Sequence, residues 1–303
     1  MNGKFSLPEI FSGRYAALLC GVIILGHLAG TSTPVAAAQG AIRVASEKAY
    51  VDLLSLWAES SGIKVNVQIV AARQAIRLAG GGQVDFALVG GTVSEGDRAI
   101  LGARPGRLPL VKEVGCEALA LVVHPDNPLP FILEQEARCI FCATGCSDAS
   151  PTLSVWNQLT AWAADSATAS IRAILPGCNT ETGLGLVHLL DASCSSIPER
   201  AGSWSDADIE REVAQDTHAI GIVYRLRSIQ KARVVPVKGK ATDNPVLPEP
   251  GKISSGEYPL SGKISLLYNL RSRPESPQSR FLSFISTPKA HEDLRKAGFY
   301  PMR

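Results

Sequence analysis

The chain has 303 residues, 46% hydrophobic and 19% charged, with 30 Lys plus Arg against 28 Asp plus Glu and a formal net charge of +2. That apolar content excludes a disordered chain, and the near balance of charge excludes nucleic acid as a partner, which requires a strongly basic face or stripe. Selectivity for a charged ligand therefore has to be local to a site.

Residues 1–38 read as an export signal, because Lys4 and Arg14 precede an apolar run over 15–28 and Ala36, Ala37 and Ala38 offer small residues for cleavage. The run is about half a dozen residues short of a membrane span, and Cys20 follows Leu18 and Leu19 rather than the small residue that lipid attachment needs. The mature chain is expected to begin near Gln39, in the periplasm. Loss of Lys4, Glu9 and Arg14 leaves 28 basic and 27 acidic residues, in about 265 residues, enough for one large or two medium domains. Six cysteines remain: Cys116, Cys139, Cys142, Cys146, Cys178 and Cys194. An even number in an oxidising compartment predicts disulfides, and the pairing favoured is Cys178 with Cys194, which brackets one helix.

In chain order, residues 42–44 predict a strand, and Tyr50, Leu53, Leu54 and Trp57 recur at the spacing of one helix face. Ile63, Val65, Val67 and Ile69 alternate as in a half-buried strand; residues 73–79 fit a short helix that Gly80, Gly81 and Gly82 end; residues 84–89 form the next strand. This βαβαβ order specifies the α/β class, with a mostly parallel sheet covered by helices. Further on come a strand over 119–123, a turn over 124–128 and a helix over 129–137. Ser150 and Pro151 predict a helix start, with Trp156, Leu159 and Trp162 on its buried side. A strand over 171–175 leads to a helix entered at residues 179–182 and running to about 190. Strands over 219–224, 233–237 and 264–270 follow, the last two separated by a Pro-, Gly- and Ser-rich surface loop over 239–262, and helices over 276–286 and 289–296 close the chain.

Four stretches carry a family resemblance. They are Gly81-Gly82-Gln83-Val84-Asp85-Phe86-Ala87; residues 121–128 with Arg138-Cys139-Ile140-Phe141 and Val155-Trp156-Asn157; His218-Ala219-Ile220-Gly221-Ile222-Val223-Tyr224; and Glu257-Tyr258-Pro259-Leu260 with Arg280-Phe281-Leu282-Ser283-Phe284 and Ala297-Gly298-Phe299-Tyr300-Pro301. In this order they resemble the phosphate-binding proteins of ABC importers and their wider group, the type II periplasmic binding proteins. The resemblance implies a two-lobed α/β fold, each lobe a mixed, mostly parallel sheet flanked by helices. Lobe 1 would be residues 40–119 plus 224–303 and lobe 2 residues 120–223, with hinges near Ala120 and Val223. It further implies a small anionic solute, phosphate or another oxyanion or carboxylate, an inner-membrane ABC permease as partner, a monomer and no cofactor.

The resemblance also nominates a site at strand-to-helix loops, where helix N-termini offer unpaired N–H groups and a partial positive charge to an anion. Ser46 matches the family's first-loop hydroxyl, with Glu47 after it; its competing role is a helix cap. Arg73 stands where the family usually has a Ser-Gly pair and can grip an oxyanion bidentately. Gly91 and Thr92 follow the third strand. In lobe 2, Asn179, Thr180 and Thr182 keep the loop's polar character, while Glu181 adds a negative charge that fits a protonated oxyanion or an amine better than plain phosphate.

Other chemistries find less support. Cys139, Cys142 and Cys146 have a spacing that can converge on a metal, but disulfides are the expectation for an exported chain. Ser46-Glu47-Lys48 lacks the Ser-x-x-Lys spacing, no Gly-x-Ser-x-Gly elbow occurs, and His124, His188, His218 and His291 pair with no nucleophile and form no metal spacing. His188, in an apolar helix, and His218, beside a strand, read as structural or solvated. Catalytic residues and a metal site are therefore not expected. The alternative to a receptor is a periplasmic sensor or adaptor whose diverged cleft acts through protein partners.

Overall fold

The computed structural model describes residues 40–102, 109–142, 153–162, 169–177, 180–190, 204–224, 226, 229–269 and 275–302. The first half opens with β1 (Ile42–Ser46), a 3-10 turn (Lys48–Tyr50) and α1 (Val51–Ser61). Tyr50, Leu53, Leu54 and Trp57 are fully buried, which is the face the sequence spacing predicts, and Gly62 ends the helix at φ 66°, where a side chain would be strained. β2 (Val65–Ile69), α2 (Ala72–Gly80) and β3 (Phe86–Gly90) complete the βαβαβ unit, with β2 and β3 both parallel to β1. Asp85 ties β1 to the entry of β3 by accepting from the Arg43 amide at 2.8 Å and its guanidinium at 3.1 Å.

α3 (Glu95–Leu101) and β4 (Pro109–Ala118) follow, and the chain crosses at Leu119 into β5 (Ala120–Val123). Beyond it come β6 (Ile132–Leu133), α4 (Glu134–Phe141), β7 (Arg172–Ile174), α5 (Glu181–Leu189), α6 (Asp206–Val213), β8 (Ala219–Val223), β9 (Arg233–Val235) and β10 (Val237–Lys238). The return to the first half brings α7 (Pro250–Ser255), β11 (Ser261–Asn269), α8 (Pro277–Phe284) and α9 (Pro288–Lys296). The strands form a five-stranded sheet in the order β2-β1-β3-β11-β4, a four-stranded sheet in the order β7-β8-β5-β9, and a β10-β6 pair. Both larger sheets are mixed. Antiparallel ladders are more frequent than the sequence reading expects, because β11 returns antiparallel between β3 and β4, and β5 is antiparallel to both its neighbours.

Several expectations need correction. Residues 129–131 are not helical: Pro128 and Pro130 keep the backbone extended, and α4 starts only after Leu133, whose amide donates to Glu136 at 2.9 Å. Residues 153–162 hold only a 3-10 turn, although Trp156 and Trp162 do stack, 4.9 Å apart. The span 239–262 contains α7, started by Pro250 at its first turn. β9 pairs with β5 and β10 with β6, so the chain to Lys238 goes with the second sheet rather than returning to the first at Val223; the apolar segment 233–237 fills the edge of β5 that would otherwise be open. Cys116 and Cys142 are free, buried thiols, so these two do not form the expected disulfides, and Cys146, Cys178 and Cys194 lie outside the described residues.

The crossing at Leu119 is pinned from the return segment. Leu119 N–H donates to the Leu260 carbonyl at 2.9 Å and the Tyr258 hydroxyl donates to the Leu119 carbonyl at 2.8 Å.

Candidate functional site

The C-terminal ends of β1 and β3 lie side by side and set the site's floor. Ser46, fully buried, donates its hydroxyl to the Leu88 carbonyl at 3.2 Å. The chain turns after it, so Glu47 points inward. One carboxylate oxygen accepts from the Gly90 amide at 3.3 Å and the other lies 2.9 Å from His188 Nε2. His188 sits in the last turn of α5, and its Nδ1 is 3.2 Å from Glu117 Oε1 at the end of β4. The alignment there falls short of a hydrogen bond, and neither atom has a hydrogen-bond partner elsewhere. The contact is therefore coulombic. Glu117 Oε2 accepts from the Tyr50 hydroxyl at 2.6 Å and also from the Tyr224 hydroxyl.

These five side chains are buried together, with exposure of 5% for the His188 and Glu47 side chains and 0% for Glu117. Burial alone favours a neutral imidazole, but the carboxylates of Glu117 and Glu47 outweigh it and raise the His188 pKa to about 10. Burial likewise favours the protonated acid at Glu117, yet the His188 charge and the donated hydrogen bonds hold its pKa below the usual carboxylate value. Tyr50 and Tyr224 are pushed well above 10, first by burial and then by the Glu117 charge, and so remain donors. Gly90 is what makes the gathering possible. A β-carbon there would fall 1.9 Å from the Tyr50 hydroxyl, 2.5 Å from His188 Nδ1 and 2.6 Å from Glu117 Oε1. Gly91 takes φ 77° and lies against His188.

Of the residues nominated from sequence, the structure brings Ser46, Glu47 and Gly91 to this floor. Arg73 lies in the first turn of α2 and is exposed, as is Thr92. Thr180 caps α5, accepting from the Gly183 amide at 3.0 Å and donating to the Gly177 carbonyl at 2.7 Å. Thr182 is buried and donates to Asp206 at 2.7 Å; the same Asp206 oxygen accepts from the Tyr224 amide. Glu181 begins α5, half-buried, and Asn179 lies outside the described residues. His188, Glu117, Tyr50 and Tyr224 were not nominated. The one sequence signal for them is an unexplained charge, Glu117, inside the otherwise apolar run 114–123. Among the described residues, no group of three or more His, Cys, Asp or Glu is arranged to hold a metal ion.

Residues 31–287 match the profile of the PBP superfamily domain. The phosphate-binding protein PstS of Pseudomonas aeruginosa is 25% identical over 273 residues, covering 83% of this chain and 80% of that protein. Among solved structures, a possible phosphate binding protein from Planctomyces limnophilus superposes with a TM-score of 0.71 at 18% identity, over 88% of this chain and 94% of its own. An ABC-type phosphate transport receptor from Vibrio cholerae superposes with a TM-score of 0.65 at 16% identity, over 86% and 99%.

Proposed function

The chain belongs to the PBP superfamily, and from that premise we propose that it is a periplasmic receptor which captures phosphate between two lobes for an inner-membrane ABC permease. It is a binding protein, not an enzyme. The observation that carries the ligand assignment is the similarity to a phosphate-binding protein along 83% of the chain. Lobe 1 holds the five-stranded sheet and lobe 2 the four-stranded sheet, extended to Lys238.

The geometry supports an anion between them. α5 follows β7 of the second sheet and packs on β4, β11 and the turn after β1, and the partial positive charge of a helix N-terminus suits an anion. On this reading Asn179, Thr180, Glu181 and Thr182 are the contributions from lobe 2. Those from lobe 1 are Ser46, Gly91, Thr92 and Arg73, with Arg73 in an exposed position in the first turn of α2. An exported chain reaches the periplasm by the leader over residues 1–38.

Isothermal titration calorimetry of the mature protein with phosphate, arsenate, sulfate and small carboxylates tests this. A saturable one-to-one response to phosphate, weakened in Arg73→Ala, is the expected result; no response to phosphate overturns the reading. A second reading, a sensor or adaptor acting through protein partners, draws on Glu181, whose carboxylate begins the helix at which an oxyanion would sit. Silence toward every anion together with capture of a periplasmic protein would favour it.

A further inference from the structure

Ionisable side chains are almost never fully buried unless paired, and Glu47, Glu117 and His188 are buried where α5 packs on the first half. Glu47, Tyr50 and Glu117 come from lobe 1, whereas His188 and Tyr224 come from lobe 2. The groups that face His188 are Glu47 and Tyr50 from the turn after β1 and Glu117 from β4, with Tyr224 beyond β8 donating to Glu117; β11 presents Gly262 to the adjacent Leu189. Each carboxylate of lobe 1 thus meets the same ring of lobe 2, one at either nitrogen.

We propose that this cluster is a latch between the lobes, in which His188 bridges Glu47 and Glu117 and holds the cleft closed before any ligand arrives. The inference rests on the two-lobed receptor reading above. A bridge between two bodies exists only while they are together, and parting the lobes returns two carboxylates and an imidazole to water. With the lobes together, the attraction acts in a low-dielectric surrounding, where it is strong, and Tyr50 and Tyr224 supply the hydrogen bonds that make burial of Glu117 tolerable. Glu47 is committed to the latch through both oxygens, one to the Gly90 amide and one to His188. It therefore stabilises closure rather than contacting the ligand. Because apparent affinity scales with the fraction of molecules in the competent state, the latch raises affinity without touching the solute.

The test is the distance between nitroxides placed at exposed Glu59 and Gln215 through non-cysteine chemistry, measured by double electron–electron resonance without ligand and then with inorganic phosphate. Ligand-free wild-type protein should give one predominant short distance. His188→Ala should move the closed-to-open ratio by about tenfold or more, the scale of losing a buried charged hydrogen bond. Gly90→Ala supplies a variant that keeps every charge but wedges a methyl group among Tyr50, His188 and Glu117, and it should open the protein likewise. A predominantly open ligand-free wild type, or distributions unchanged in the folded variants, overturns the latch. The two readings fail separately. Variants that open while phosphate changes nothing keep the latch and sink phosphate as ligand, whereas a phosphate-induced shift with unchanged variants does the reverse.

Discussion

Replacing Glu117 by glutamine removes a charge with almost no change of shape, so the effect can be worked from the cluster itself. The amide oxygen still accepts from Tyr50 and Tyr224, and the amide nitrogen then faces His188 Nδ1, so two donors confront each other where 3.2 Å separated opposite charges. Removing one partner of a buried pair costs about 3–5 kcal/mol, and the surviving Glu47 contact places Glu117→Gln near the lower figure. For a chain of this size, that corresponds to a melting temperature lower by roughly 6–12 °C. The pH dependence carries the sharper signature. In the wild type, the His188 pKa is raised from 6.5 to about 10, so its stabilisation is complete below the unfolded value and is lost as pH rises through the folded one, with an upper bound on the order of 5 kcal/mol. Glu117 has the opposite sign: its lowered pKa contributes above the ordinary carboxylate range and is lost as pH falls through the folded value. Wild-type stability should therefore be highest between the ordinary carboxylate range and about pH 6.5 and fall progressively from there to about pH 10, whereas Glu117→Gln should lack the acid-side loss that Glu117 contributes and should complete its alkaline decline at a lower pH. Urea denaturation followed by tryptophan fluorescence in steps from acid to alkaline pH reads both. A variant within about 0.5 kcal/mol of wild type at pH 7, the scatter expected of a neutral surface change, and with the same profile would refute the charged cluster.

Further tests address other parts of the fold. Gly221→Ala in β8 brings a β-carbon to 2.4 Å from Ile209 and 2.9 Å from Val213; this overpacking should cost about 1–3 kcal/mol in urea unfolding, and an unchanged midpoint would contradict the close approach of α6. Thr180→Ala removes the α5 cap on the Gly183 amide and should destabilise by about 1 kcal/mol, with a weaker calorimetric response to phosphate if the hydroxyl also serves the ligand. Glu210→Gln disturbs a carboxylate that accepts from the amides of Gln230, Lys231 and Ala232; hydrogen exchange should accelerate at those three positions, and unaltered protection would remove the carboxylate as their anchor. Burial pushes the Cys142 thiol up to about 11 and raises that of Cys116. Iodoacetamide at pH 8 should thus leave both unmodified in native protein and alkylate both in denaturant, as read by peptide mass spectrometry.

Much of the secondary structure was legible because its signals are local. The 3.6-residue spacing of Leu53, Leu54 and Trp57 and the alternation of Ile63, Val65 and Val67 each report one buried face. Weaker signals escaped notice for equally physical reasons. α3 and α6 begin at capping boxes, Ser94 with Asp97 and Ser205 with Asp208, in which aspartate does the work usually sought from glutamate or glutamine. The expected helix after Pro151 fails over residues 153–162, where Trp156 and Trp162 satisfy the core by stacking on each other.

By itself, then, the sequence determined the α/β class and the order of strands in the first unit, since periodicity, glycines and caps act over a few residues. Only the tertiary structure decided where the second sheet ends and what His188 does. β9 is a short apolar strand whose place depends on which edge is open, and a histidine in an apolar helix is inert or charged according to its neighbours. Here those neighbours include Glu47, 141 positions away along the chain, and the carboxylates of Glu47 and Glu117 turn a residue that reads as structural or solvated into the charged centre of a buried cluster.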